Sequence, residues 1–301
     1  MEDLRGTWFV IPTAFRDDGT LDHDGQRSVV EAAIDWGVDG LTVMGVMSEA
    51  PLLTDEERAA SLEAIFDAAS GRVPVAVGCS AASVARVVAY ARAAAHLGAI
   101  AAMVSAPQLV RNVDALVSFY EGVGKESGLP VVVQDEPEAT GTVIPVSVLL
   151  RCLESCGSKT VKLEDPPTPV KISRLLAARS DLNVFGGLGG IAALGELRRG
   201  ACGTMTGFSL PEVLAAVRIE VEAGRLNVAG ELFDRYLPLI VFEGQPRIGL
   251  GIRKEMLVRR GALPNNVTRG LTPLDKHTID GLDHVLERMG LEPSRSRMDP
   301  S

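Results

Sequence analysis

The chain lacks long apolar runs and any excess of positive charge. No apolar stretch approaches the roughly 18 residues that a membrane-spanning helix needs. The 301 residues carry a formal net charge of −9, which disfavours a nucleic-acid surface. The first residues also lack the charged-then-apolar order of a signal peptide. We therefore expect a cytoplasmic protein that binds neither a membrane nor nucleic acid.

Histidine, cysteine and lysine are all scarce. The four histidines and four cysteines are scattered without metal-ligand spacing. Cys152 and Cys156 are four residues apart, but no Cys/His pair stands near them to complete a site. We therefore expect reduced thiols, no metal and no other cofactor. Only six lysines accompany twenty-four arginines, so a lysine inside an apolar strand needs an explanation.

One such lysine stands in residues 160–165 (TVKLED), a strand-like run that two prolines end. A lysine amine that loses its hydration must find compensation or become neutral. A neutral amine is a nucleophile and forms Schiff bases with carbonyl substrates. Lys162 is therefore a candidate nucleophile. The alternative is a lysine whose stem is buried while its amine reaches water.

Eight strand-like segments alternate with helical ones over about 220 residues. We predict a first strand within residues 8–15 that ends at Pro12-Thr13. The other strands are predicted at residues 40–44, 73–77, 100–104, 131–134, 160–165, 182–185 and 203–206. Thr54 and Glu57 form a capping box that starts a helix to about residue 69. The alternation predicts an α/β fold, a (β/α)8 TIM barrel. An open doubly wound sheet is disfavoured because the first strand–helix turn, residues 16–19, lacks a phosphate-binding fingerprint.

The chain is expected to form one unit with an appendage. We assign residues 1–224 to the catalytic barrel, 225–291 to a helical extension of the same unit, and 292–301 to a disordered tail. A helix is predicted between the glycine run at 186–190 and Arg199.

Catalytic groups of such barrels stand at the C-terminal ends of the strands. We call the opening of the barrel at these strand ends the mouth. The rule places around it Thr13, Ser48, Glu49, Gln134, Asp135, Lys162, Glu164 and Thr206. Side chains two residues apart on a strand point the same way, so Glu164 shares the cavity of Lys162 and is the candidate base. The alternative for Glu164 is a salt bridge to a surface lysine or arginine.

Three motifs in this order resemble the dihydrodipicolinate synthase and N-acetylneuraminate lyase superfamily of Schiff-base aldolases. Residues 45–49 (GVMSE) fall where that family has GTTGE, and residues 133–137 (VQDEP) fall where it has LYNxP. Val161-Lys162 matches the strand of its Schiff-base lysine. The resemblance covers almost the whole chain and implies a TIM barrel, a 2-oxo acid substrate at Lys162, and a homo-oligomer, either a dimer or a tetramer.

The departures from the family pattern concern proton transfer. The usual synthase uses a threonine and two tyrosines, one of them from a neighbouring subunit. Here Val46 replaces the threonine, Gln134 the first tyrosine and Leu109 the second, and none of these exchanges a proton usefully. Ala139 stands in place of the arginine that binds the second substrate. These losses argue against dihydrodipicolinate synthesis.

The motifs are more similar to a subgroup that includes 2-keto-3-deoxy-L-arabonate dehydratase. This resemblance implies dehydration of a 2-oxo-3-deoxy sugar acid, with Lys162, Glu164 and Gln134 as the catalytic set. The candidate substrate-binding residues are Thr13, Ser48, Glu49, Asp135, Gly186, Gly187 and Thr206. Two of them have structural alternatives, since Glu49 would cap or pair near the second helix and Ser48 would cap. A pyruvate-dependent aldolase and a non-catalytic barrel that binds 2-oxo acids remain alternatives.

Overall fold

The protein is a closed barrel of eight parallel strands, each joined to its neighbour in chain order. A computed structural model describes residues 4–108 and 112–292. The strands are β1 (Gly6–Val10), β2 (Gly40–Val43), β3 (Val75–Gly78), β4 (Ala101–Ser105), β5 (Val131–Asp135), β6 (Thr160–Leu163), β7 (Asn183–Gly186) and β8 (Gly203–Thr206). β8 pairs with β1 and closes the ring. The (β/α)8 barrel predicted from the sequence is confirmed.

Helices cover the outside of this barrel. They are α1 (His23–Asp35), α2 (Asp55–Ala69), α3 (Val84–His96), α4 (Val113–Glu126), α5 (Pro137–Thr140), α6 (Val146–Ser155), α7 (Thr168–Ala178), α8 (Ala193–Leu197), α9 (Pro211–Glu222), α10 (Leu226–Glu243), α11 (Gly249–Arg259) and α12 (Lys276–Arg288). The capping box of Thr54 and Glu57 is present at the start of α2. Across residues 4–108 and 112–292, none of the helices combines the length and apolar character that a bilayer crossing requires.

Strand alternation divides the apolar side chains between two layers. One set fills the barrel interior and includes Trp8, Val10, Ala76, Met103, Val132, Phe185 and Met205. Trp8 and Phe185 meet there edge to face, with ring centroids 6.2 Å apart. The alternate positions, such as Val133 and Val161, pack outward against the helices. The interior is therefore closed by large side chains, which leaves the C-terminal mouth as the place for polar groups.

Two segments differ from the sequence predictions. β1 ends at Val10, shortly before the expected end at Pro12-Thr13, because Pro12 has no N–H to continue the ladder. The helix expected up to Arg199 is divided into a short 3-10 turn over 188–190 and the five-residue α8. Gly189 has φ +65°, a left-handed conformation that ends a helix.

The segment after residue 224 packs on the barrel helices. Ile240 and Met256, both fully or almost fully buried, share an apolar cluster with Phe208 and Leu214. The division of the chain at residue 224 stays a prediction. Of the tail predicted at 292–301, residues 293–301 lie outside the described part of the chain.

Candidate active site

Lys162 stands in the middle of β6 and faces the barrel interior. Its neighbours across the sheet are Gln134 on β5 and Phe185 on β7. The side chain of Phe185 packs inside the barrel, and residues in register point to the same face. Only 5% of Lys162 is exposed, so its amine is largely shielded from water.

Glu164 lies directly beside this amine. Its Oε2 is 3.2 Å from Lys162 Nζ and accepts a hydrogen bond of 2.7 Å from Gln134 Nε2. Its Oε1 accepts a 3.2 Å hydrogen bond from the backbone N–H of Leu188. A Cβ at Gly187 would lie 2.4 Å from the Glu164 Cγ. Any side chain at residue 187 would therefore clash with Glu164, and glycine leaves the space that the carboxylate occupies.

The amide of Gln134 is oriented by two serines that sequence reasoning missed. Ser105 Oγ donates to Gln134 Oε1 at 3.0 Å, and Ser80 Oγ accepts from the Ser105 backbone N–H at 2.9 Å. Since the amide oxygen is used by Ser105, its NH2 group points at Glu164. Nothing in the local sequence of Ser80 or Ser105 indicates this role, because Ser105 ends β4 and Ser80 lies in the loop after β3, both distant in sequence from Gln134.

A second carboxylate, Glu136, follows β5 at the same mouth. It is two residues beyond Gln134 and therefore has the same strand parity. Burial and the negative charge of Glu164 raise its pKa to about 7, against the opposing effect of the positive charge of Lys162. The alternation that predicts Glu164 from Lys162 is also the sequence signal for Glu136, two residues after Gln134.

Thr13 and Ser48 are buried and tie two mouth loops together. Thr13 Oγ1 donates to the Ser48 carbonyl at 2.6 Å, and Ser48 Oγ donates to the Ile11 carbonyl at 2.7 Å. Both hydroxyl protons are therefore used within the protein. The geometry supports a role in shaping the mouth, and the predicted substrate contacts of these two residues stay predictions.

Glu49 anchors a segment that is distant in the chain. Its Oε2 accepts from Lys254 Nζ at 2.9 Å. Its Oε1 accepts from the backbone N–H groups of Arg269 and Gly270 at 2.7 and 3.1 Å. Burial lowers the pKa of Lys254, and the charge of Glu49 opposes this. Both oxygens are occupied, so the geometry favours the structural alternative, pairing, over substrate binding.

Asp135 points to the outside of the barrel, which corrects the prediction that it faces the mouth with Lys162. Its Oδ2 is 2.5 Å from Lys171 Nζ on α7, which also binds Asp165 at 2.7 Å. Burial raises the pKa of Asp135 to about 6, while the hydrogen bond and charge of Lys171 lower it. Asp135 faces outward because consecutive side chains of a strand point to opposite faces, and its neighbour Gln134 faces inward.

Gly186 and Thr206 also lie on the outer side of their strands. A Cβ at Gly186 would lie 1.8 Å from Glu196 Oε2, and Thr206 is next to the inward Met205. Glu196 is fully buried, and its Oε1 accepts from Thr168 Oγ1 at 2.5 Å. Burial raises the pKa of Glu196 to about 7, although the Thr168 hydrogen bond lowers it. Gly186 and Thr206 therefore face the space between the strands and the outer helices and do not line the mouth with Lys162.

The residues that replace the family's proton relay are only partly described. Val46 is 61% exposed beside the mouth, and Ala139 lies in α5, where its carbonyl accepts from Gln108 Nε2 at 2.9 Å. Leu109 lies outside the described residues. Within residues 4–108 and 112–292 there is no group of three or more His, Cys, Asp or Glu side chains able to hold a metal ion.

The comparisons with known proteins agree with this architecture. The model of the Dihydrodipicolinate synthetase family matches residues 3–288. L-2-keto-3-deoxyarabonate dehydratase of Azospirillum brasilense is 31% identical over 276 residues, which is 89% of each chain. The 4-hydroxy-tetrahydrodipicolinate synthase of Stenotrophomonas maltophilia is 30% identical over 287 residues, 94% of this chain and 95% of that relative.

The solved structures give the same result in three dimensions. The crystal structure of dihydrodipicolinate synthase from Rhodopseudomonas palustris has a TM-score of 0.90 and 31% identity. It covers 95% of this chain and 98% of its own. The chain therefore belongs to the dihydrodipicolinate synthetase family and is a lyase of the Schiff-base aldolase superfamily.

Proposed function

We propose that the protein binds a 2-oxo acid as an imine of Lys162 and dehydrates a 2-oxo-3-deoxy sugar acid. The observation that carries the proposal is the 3.2 Å approach of Lys162 Nζ to Glu164 Oε2 at the barrel mouth. Glu164 takes a proton from the amine, and the neutral amine attacks the substrate ketone. Glu164 returns this proton to the former ketone oxygen, which leaves as water when the protonated imine forms, so Glu164 is again a carboxylate.

The imine makes C3 of the substrate acidic, because the C=N bond accepts the electrons of a C3–H bond. Glu164 removes this proton, since the amide of Gln134 has no basic site for it. The resulting enamine expels the hydroxyl from C4, which is dehydration. Gln134 donates to Glu164 at 2.7 Å, so its part is to hold the carboxylate beside the reacting carbon.

Cleavage of the C3–C4 bond by the same imine is the alternative, and it would make the protein a pyruvate aldolase. Dehydration is favoured because the 31% identical relative from Azospirillum brasilense is named as a dehydratase. A barrel that only binds 2-oxo acids is the third possibility. Product analysis with a panel of 2-oxo acids separates the first two, and any turnover at all eliminates the third.

The proposal includes a homo-oligomer, dimer or tetramer, that works in the cytoplasm on a small molecule. The oligomer is supported by the resemblance to the family. The four cysteines are free, which is usual in a reducing compartment. The net charge of −9 favours neither nucleic acid nor an anionic membrane as partner.

We expect borohydride to trap pyruvate, or a longer 2-oxo acid, on Lys162. Alkylation of this amine prevents trypsin from cutting after it. The peptides 160–162 and 163–171 should therefore appear as one joined peptide that carries the mass of the reduced adduct. Omission of borohydride is the control. An adduct on another lysine, or none with the whole panel, would refute the proposal.

We expect negligible condensation of pyruvate with aspartate semialdehyde. Val46 and Gln134 stand where the family has a threonine and a tyrosine that transfer protons, and neither side chain can do so. Ala139 stands where the family has an arginine that binds the carboxylate of the second substrate, and alanine cannot bind it. A coupled assay measures the reaction. Turnover on the order of 1 per second or faster, which is typical of enzymes, would contradict this expectation.

A further inference from the structure

Glu136 continues the ladder between β5 and β6 by one step. Gln134 pairs with Lys162 and Asp135 with Leu163. The next bond is also present, because the Glu164 backbone N–H donates to the Asp135 carbonyl at 2.8 Å. In a parallel ladder this bond places Glu136 opposite Glu164.

Both glutamates point to the same side of the sheet as Lys162. Gln134 reaches Glu164 with its side chain, and Glu136 has the parity of Gln134. Glu136 follows the last residue of β5 and has φ −132° and ψ 76°, so the chain leaves the strand here as Pro137 starts α5. The charges of Glu164 and Lys162 both act on its carboxyl group, which places that group near them. Two carboxyl groups and one amine therefore share the mouth, with the carboxyl groups on neighbouring strands.

Their surroundings differ. Glu164 is contacted by Lys162 Nζ, Gln134 Nε2 and the Leu188 N–H, which are all positive or donor groups. Burial raises the pKa of Glu136 to about 7, so much of it holds a proton at neutral pH. Paired carboxyl groups whose environments separate their protonation commonly divide acid and base work.

We propose that Glu136 is the general acid that protonates the departing C4 hydroxyl, while Glu164 is the base at C3. This assignment rests on the proposed function. It adds a catalytic residue and explains how hydroxide, a poor leaving group, departs as water.

The protons and electrons balance over the two steps. The C3–H bond breaks, its proton goes to Glu164, and its electrons form the enamine. The enamine electrons then form the C3–C4 double bond as the C4–O bond breaks, and the oxygen takes the proton of Glu136 and leaves as water. Water hydrolyses the imine and releases an unsaturated 2-oxo acid. Transfer of a proton from Glu164 to Glu136 resets the pair.

The main test compares two leaving groups in the variant Glu136→Gln. Wild type and variant are given 4-hydroxy-2-oxobutanoate and 4-chloro-2-oxobutanoate, with the uncatalysed rate subtracted. Chloride leaves without a proton, so only the hydroxy substrate needs the acid. We expect the hydroxy substrate to slow by about 100- to 10,000-fold and the chloro substrate to stay within a few fold. Similar slowing of both substrates, or of neither, would overturn the assignment.

Two controls keep the result interpretable. Glu154→Gln removes an exposed carboxylate on α6 whose charge is not among those that act on Glu136, and it should leave both rates unchanged. Borohydride trapping and exchange of C3 hydrogen of pyruvate in heavy water should persist in Glu136→Gln, which shows that the protein is folded and the base intact. Loss of C3 exchange would assign the base to Glu136 and contradict the division of work.

A measurement without turnover separates this assignment from the proposed function. In protein labelled with ¹³C at glutamate carboxyl groups, the resonance that Glu136→Gln removes should titrate near pH 7. Titration near pH 4.5 would overturn the assignment even if the enzyme dehydrates its substrate. If the wild type eliminates nothing from C4 but the resonance titrates near pH 7, the dehydratase function fails while the protonated Glu136 stands.

Discussion

Replacement of Lys162 by methionine is expected to abolish imine chemistry and to lower turnover by roughly 10⁶-fold, the loss seen when the nucleophile of a serine protease is removed. Methionine keeps the length and apolar stem of the lysine but has no amine. The substrate then has no electron sink next to C3, so both dehydration and aldol cleavage stop. Steady-state rates with the best substrate of the panel measure the effect.

Lys125→Met is the matched control for this variant. The Lys125 amine is exposed and pairs with Glu121 at 2.6 Å on α4, away from the mouth. We expect normal turnover and normal trapping after this change. Residual activity of Lys162→Met within about 100-fold of wild type would mean that another group forms the covalent intermediate.

The second large effect concerns the base. Glu164→Gln preserves the shape of the side chain but gives it no site that accepts a proton at neutral pH. We expect trapping of pyruvate to persist, while turnover and C3 exchange in heavy water fall by about 100- to 10,000-fold. Mass spectrometry of the trapped peptide and NMR of the exchange reaction measure the two steps separately.

Glu164→Asp distinguishes a base from a structural partner. The shorter carboxylate still accepts protons, so it should recover part of the C3 exchange that the glutamine variant loses. If Glu164 has only a structural role, the glutamine variant should keep more C3 exchange than the aspartate variant. Glutamine keeps the hydrogen bond to the Leu188 N–H, whereas aspartate reaches it less well. Exchange at the wild-type rate in Glu164→Gln would remove Glu164 from the mechanism.

The combination of Glu136 and Glu164 gives this mouth two carboxyl groups where the sequence comparison had pointed only to lost groups. Gln134 replaces a tyrosine of the family pattern, and its amide binds the carboxylate of Glu164. The departures from the family are therefore linked, since an amide at residue 134 is useful only next to an acceptor such as Glu164. Under the proposed function, the chain lacks the family's proton relay and uses Glu164 and Glu136 to move protons instead.

The order of strands and helices was determined by the sequence alone. Apolar runs, prolines and the capping box at Thr54 are local signals, and they act within a few residues of where they stand. The same holds for the pair of Lys162 and Glu164, because the alternation of a strand decides their common side. The same alternation puts Asp135 on the outer side of β5, where it pairs with Lys171.

The contacts that complete the site were decided by the tertiary structure. Glu49 binds Lys254, which is 205 residues away, and Gln134 is oriented by Ser105 from the neighbouring strand. Gly187 matters for the space that it leaves to Glu164. No local pattern encodes these contacts, because they exist only after the barrel closes and brings the ends of different strands to one mouth.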